Sequence, residues 1–195
     1  ELDELELKVL VENKTKAGFL GAPGVSYLFR SDKGSLLFDV GWGPERKTLS
    51  QNAAKMDVTM DQIDALAISH LHPDHMGGFQ AYKEKKVRLP AGLAPDGQTC
   101  YLPGEAEAPG FQTEIIKKPQ VLKSGLATTG PLARSLFIMG WTEEQALIGK
   151  IKNKGLVIFT GCGHPTIEKI IEMVGKISDE PIYAIGGGLH FPITD

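Results

Sequence analysis

Four potential metal donors fall within six residues in Ser69-His70-Leu71-His72-Pro73-Asp74-His75-Met76-Gly77-Gly78, directly after the apolar run Leu66-Ala67-Ile68. Imidazole and carboxylate together suit a borderline divalent ion such as zinc, and a His-x-His pair at the end of an extended segment brings two side chains to one point. Pro73 and the two glycines turn the chain and re-aim the donors around them. One motif can therefore supply two neighbouring sites, with His70 and His72 on the first ion and Asp74 and His75 on the second. Three of the five histidines of the chain lie here, a density that a polar loop with chance histidines does not explain.

Further donors stand where other apolar runs give out. Asp39 follows Leu36-Leu37-Phe38, Cys162 and His164 follow Leu156 to Thr160, and His190 follows Ile182 to Ile185 through three glycines. Strands in facing sheets whose ends share one edge would bring these donors to a single cleft. Plainer readings stand beside the functional ones: an Asp before a glycine turn is common, and a buried Cys is by default a small hydrophobe. No helix with the dinucleotide fingerprint follows the triple glycine, which is read as room for backbone passing close to the metals. Arg134 is the candidate for an anionic group of the substrate, against the alternative of a surface ion pair. Lys83, Lys85 and Lys86 read as a solvated face.

The elements that must position these donors follow from periodicity. Leu5, Leu7, Val9 and Val11 alternate with Glu6, Lys8, Leu10 and Glu12 and predict a half-buried first strand. Val25 to Phe29 and Ser35 to Phe38 predict a hairpin turning at Asp32-Lys33-Gly34, with the glycine-rich loop 18–24 before it and Trp42 after it as a possible pocket wall. Helices are expected over Pro44 to Met56, over Phe79 to Lys86 packed by Phe79 and Tyr82, and from a Thr166 cap through Ile167, Ile170, Ile171, Val174 and Ile177. Gln145 to Ile151 and Leu156 to Thr160 predict a second hairpin. Residues 87–135 carry six prolines interleaved with glycines, which break every periodic segment, and are expected to form a lid-like insertion over the site. One domain, 1–195, is expected.

Composition bounds the function. With 195 residues, 42% hydrophobic and 23% charged, the chain reads as an ordinary globular protein. A net charge of -3 gives no general pull toward nucleic acid, so a small molecule is the expected partner. Two distant cysteines, Cys100 and Cys162, are not a disulfide scaffold. No apolar run approaches the roughly 18 residues of a membrane span, and Glu1-Leu2-Asp3-Glu4 has no signal-peptide character. A cytoplasmic protein without membrane contact is expected.

His-x-His-x-Asp-His after a strand, with Phe38-Asp39-Val40-Gly41 upstream and glycine-rich strand ends downstream, resembles the metallo-β-lactamase superfamily. Asn52-Ala53-Ala54, Thr128-Thr129-Gly130, Glu144-Gln145-Ala146-Leu147, Thr160-Gly161-Cys162-Gly163-His164 and Gly187-Gly188-Leu189-His190 are similar to a narrower group within it. That group comprises stand-alone metal-dependent hydrolases of β-lactamase superfamily II and includes a dihydropterin-condensing synthase of archaeal methanopterin biosynthesis. The resemblance runs from about Ala17 to His190. With helices 44–56 and 166–177 covering the outer faces, it implies an α/β fold of the four-layer αββα sandwich type.

The resemblance also implies two divalent metal ions, Zn2+ first with Mn2+ or Fe as alternatives, and places Asp39 behind the ligands as an acceptor for the His-rich loop. Cys162 stands where most members have a metal-bridging Asp, and no His occurs from 76 to 163, where the usual third one lies. His164 is expected to complete the first site and His190 the second, with Glu144 the weaker substitute donor. The expected activity is hydrolysis of an ester, amide or phosphoester by a metal-activated water that Asp74 helps orient. A pterin-type condensing transferase and a metal-binding module without turnover are the alternatives.

Overall fold

A computed structural model of the protein describes residues 1–136 and 140–189. The chain opens as a meander in which β1 (Leu5–Val11) pairs antiparallel with β2 (Ser26–Ser31), and β2 with β3 (Gly34–Phe38) across the turn Asp32-Lys33. Helix α1 (Thr48–Lys55) returns the chain, and β4 (Ala65–Ala67) lies parallel to β3. After the short helices α2 (Pro73–Met76) and α3 (Phe79–Glu84), β5 (Thr99–Leu102) and β6 (Gln112–Ile115) extend the sheet in parallel. The first sheet thus has the order β1-β2-β3-β4-β5-β6.

Next come β7 (Gln120–Val121) and β8 (Ala127–Thr128), then β9 (Leu132–Leu136) and β10 (Gly140–Glu144), which among the described residues pair only with each other. The hairpin β11 (Leu147–Ile151) and β12 (Gly155–Thr160) is followed by α4 (Ile167–Ile177) and by β13 (Ile182–Gly187), parallel to β12. The second sheet has the order β13-β12-β11-β8-β7.

Strand alternation sorts the apolar side chains into layers. Leu28, Leu37 and Leu66 meet Leu49 and Ala53 of α1 and Ala81 of α3 on one face of the first sheet. Phe29, Phe38 and Tyr101 on its other face meet Leu147, Val157 and Phe159, and the Phe29 and Phe159 rings lie 4.7 Å apart. Beyond the second sheet, Ile170 and Val174 of α4 pack on Ile148, Leu156 and Ile158. Helix, sheet, sheet, helix is the four-layer sandwich that the sequence resemblance implies.

Several local expectations need correction. Leu7 and Val9 are 37% and 43% exposed, while Leu10 is fully buried with Val11. β1 is a sheet edge and its register shifts between Val9 and Val11, so the period-two reading fails there. Phe79 and Tyr82 are exposed, and Ala81 carries the packing of α3. The region 87–135, expected as a lid-like insertion, supplies β5 to β8 and most of β9, with Cys100 and Leu102 fully buried. Its strands are too short to show a period. Trp42 donates its indole N–H to the Pro23 carbonyl and meets the Phe79 ring edge-to-face, a packing role. Among the described residues no helix is long and apolar enough to cross a membrane.

Phe29→Ala is expected to cost about 3–5 kcal/mol, the usual range for a buried aromatic truncated to Ala. The midpoint of urea unfolding measures it. Val121→Ala, at a side chain 73% exposed, should shift stability by less than about 0.5 kcal/mol.

Candidate metal centre

The site is built upward from Asp39. It follows β3 with a φ of 62°, a left-handed conformation that Asp tolerates better than most residues, and this turn aims its carboxylate under the His-rich segment. Oδ1 accepts the Ser69 backbone N–H at 2.6 Å, and Oδ2 accepts the Ser69 hydroxyl at 2.6 Å and His75 Nδ1 at 2.7 Å. The single hydroxyl proton of Ser69 is thereby committed to Asp39. Its oxygen is left to accept from His70 Nδ1, 2.8 Å away. Both rings carry their proton on Nδ1 and turn Nε2 toward the centre, the tautomer a metal-ligating imidazole needs.

Pro73 opens α2, and the Met76 and Gly78 N–H groups close back onto the His72 and Pro73 carbonyls. This turn carries Asp74 and His75 beneath His70 and His72. The Asp74 side chain stays 27% exposed, with Oδ2 3.6 Å from His75 Nε2. Opposite, β12 ends at Thr160, and Gly161 passes so close that a β-carbon there would stand 2.1 Å from the Ser69 hydroxyl. Residues 162–166 form a turn, with positive φ at Gly163 and Thr166. The turn separates its two donors. Cys162 Sγ lies 3.1 Å from His75 Nε2, whereas the His164 ring lies 4.7 and 4.9 Å from the rings of His70 and His72.

Donor atoms of His70, His75 and Cys162 lie within 4.8 Å of one another, and so do those of His70, His72 and His164. Three imidazoles in one group, and two imidazoles with a thiol in the other, suit borderline divalent ions, so the residues present fit the metals that the fold family implies. His70 belongs to both groups. Burial, with His164 and His75 beside it, pushes His72 down to about 4, which keeps it a neutral donor. Burial opposes a charge on His75, but Asp39 and Cys162 outweigh it and raise its pKa well above the ordinary value.

Other expected site residues fall elsewhere. Glu144 is fully buried, but its carboxylate is occupied by Thr160 and by the backbone N–H groups of Cys162, Gly163 and His164. Arg134 donates Nη1 to the His164 carbonyl at 3.4 Å. His190 lies outside the described residues. Sequence reasoning missed Ser69, the hinge of the Asp39 network, and Thr142, whose Oγ1 lies 3.3 Å from His72 Nε2. A serine immediately before the first His was the available signal. Beside His72 a cavity of about 390 Å³ opens, with Leu71, Tyr82, Lys83, Lys85, Trp141 and Thr142 among its walls.

Fold and donor set together define a member of the metallo-beta-lactamase superfamily. The chain belongs to it: the family model matches residues 21–143. Among curated proteins the chain is similar to 7,8-dihydropterin-6-methyl-4-(beta-D-ribofuranosyl)-aminobenzene-5'-phosphate synthase of Methanocaldococcus jannaschii, 23% identical over 238 residues covering all of this chain and 80% of the relative. Among solved structures it superimposes on Tm1679, a metal-dependent hydrolase of the beta-lactamase superfamily, with a TM-score of 0.72 at 22% identity over 98% of this chain and 79% of that one. An N-acyl homoserine lactone hydrolase with product at its catalytic metal center gives a TM-score of 0.55 at 14% identity over 95% and 94%. At these identities the structural likenesses speak for the fold alone.

His72→Ala is expected to remove most bound metal while leaving the far-UV circular dichroism nearly intact, because a large apolar core and not the metal holds the fold. Elemental analysis measures the first and normal metal content would sink the ligand assignment. His164→Ala should weaken metal binding more than Cys162→Ser does. Asp39→Asn, which sets an amide where two N–H groups and a hydroxyl require acceptors, should cost about 10–100-fold in metal affinity, as loss of a partner behind the ligands commonly does.

Proposed function

We propose that the protein is a metal-dependent hydrolase acting on an ester, amide or phosphoester of a small molecule. The observation that carries this reading is the openness of the donor cluster: His72 borders both the cluster and the cavity of about 390 Å³, whereas a purely structural metal site is closed. The same observation disfavours a binding module without turnover. His70, His72 and His164 are the proposed ligands of one ion, and His75, Cys162 and Asp74 of a second, with His190 assigned to the second from the sequence. Bound there, divalent ions supply Lewis-acid polarisation of a carbonyl or phosphoryl oxygen and lower the pKa of water.

The chain supplies the rest. Asp39 and Ser69 hold the Nδ1 protons of His75 and His70, so neither ring reorients during turnover. Asp74, 27% exposed at its side chain, would orient an attacking water and accept its proton. Trp141 and Tyr82 offer exposed aromatic faces in the cavity wall, and Lys83 and Lys85 offer positive charge. A flat substrate with an anionic group suits these walls.

A second reading is a pterin-type condensing transferase. It is favoured by the curated synthase, which the chain matches over its whole length, and by the same aromatic and cationic walls. Hydrolysis stands first because the cluster needs no further reactant than water. Metal-loaded protein assayed against esters, lactones, amides and phosphodiesters, and for diphosphate release from a pterin diphosphate with an arylamine acceptor, separates the two. Turnover only in the arylamine assay would overturn the hydrolase reading. Trp141→Ala is expected to raise KM by about 10-fold or more, the worth of one well-placed stacking contact near 1.4 kcal/mol, with a smaller change in kcat.

A further inference from the structure

We propose that Glu144 is a positioning residue for the metal centre, a buried anion that sets the turn carrying Cys162 and His164 at its distance from the His-rich segment. The inference rests on the metal-centre reading above and assigns Glu144 a role other than ligand. Glu144 stands at the end of β10, fully buried. Oε1 accepts the N–H groups of Cys162 at 3.0 Å and Gly163 at 2.9 Å together with the Thr160 hydroxyl, and Oε2 accepts the His164 N–H at 2.9 Å. Three consecutive backbone N–H groups converging on one carboxylate form a concave anion site, filled here by a side chain of the same protein.

The anchor of that carboxylate is its neighbour. Gln145, also fully buried, donates Nε2 to the Ile68 and Tyr101 carbonyls at 2.8 and 3.2 Å, and its backbone N–H donates to the Ser69 carbonyl at 2.8 Å. Adjacent residues point to opposite sides of an extended chain. One therefore grips the end of β4, from which His70 and His72 depart, while the other grips the turn that brings Cys162 and His164. The spacing between the donor-bearing segments is then the spacing between two neighbouring side chains. Positive φ at Thr166, a β-branched residue, makes the turn costly to hold without such a clamp.

Gln and Asp at position 144 test this in opposite directions. Glu144→Gln keeps the volume but turns an NH2 group toward N–H donors, whereas Glu144→Asp keeps the charge and backs off by one methylene. If Glu144 merely fills space, Gln should be tolerated and Asp should be worse. The proposal expects the reverse order. In metal-free protein, amide hydrogen exchange over residues 162–164 should quicken by about 10-fold or more in Glu144→Gln and less in Glu144→Asp, reporting local opening. Affinity for Co2+, from chelator competition, should fall by about 10–100-fold in Glu144→Gln, with Asp restoring part of it.

Unchanged exchange in Glu144→Gln, or quickened exchange with wild-type Co2+ affinity, would overturn the proposal. Wild-type protein that takes up no Co2+ would instead overturn the metal-centre reading, and with it the positioning role, whatever the exchange shows. If Glu144→Gln does not fold, Glu144→Asp carries both measurements, and wild-type behaviour in it by both would overturn the idea.

Discussion

Asp39, Ser69, His70 and His75 are all withdrawn from solvent, and a polar cluster can be buried only if its donors and acceptors are matched. That constraint governs the edge where the two sheets meet. Asp39 adopts a left-handed conformation because only then does its carboxylate face three donors at once, two from Ser69 and one from His75. Gly161 is small because β12 must end against the Ser69 hydroxyl without displacing it. Fixing the Nδ1 protons is a by-product of satisfying the cluster. The resulting imidazole orientation is what a metal site requires.

The two sheets divide the work unequally. The first contributes Asp39 and the His-rich segment from the ends of neighbouring parallel strands, β3 and β4, so their relative placement follows from strand register: Phe38 pairs with Ala67, and the Asp39 N–H donates to the Ala67 carbonyl at 2.9 Å. The second contributes its donors from a turn. A turn has no ladder to fix it, and the buried acid of β10 takes that part. The antiparallel pair β9 and β10 joins neither sheet among the described residues, yet it supplies Arg134, Trp141, Thr142 and Glu144 around the cluster and its cavity.

Much of this was legible in the sequence where an apolar run stops abruptly at a donor. β3 ending at Asp39, β4 leading into His70 and β12 leading to Cys162 each show that pattern, and the helices over the outer faces follow their periodic apolar residues. What could not be read has a common physical cause. The role of Ser69 depends on where one hydroxyl proton goes, which is set by residues 30 positions away. Strands of two to four residues in β5 to β8 carry no measurable period, so their region read as a lid. Glu144 looked like a spare ligand because residue type reveals a carboxylate but not which donors saturate it.

Cys162 is the residue on which the chemistry turns. Its Sγ, His75 and Asp39 are connected like a nucleophile, base and carboxylate, a relay that needs no metal. Burial nevertheless raises the Cys162 thiol above its ordinary value despite the opposing pull of His75, so the protein does not hold the thiolate ready by itself. Were His75 and Cys162 to hold a divalent ion, as proposed above, coordination would favour the thiolate. With a carboxylate in this place the proposed site would favour hard ions as well; sulfur among imidazoles would favour zinc or iron over magnesium or calcium. The substitution therefore argues for a metal centre narrowed in its choice of ion, and against a thiol nucleophile.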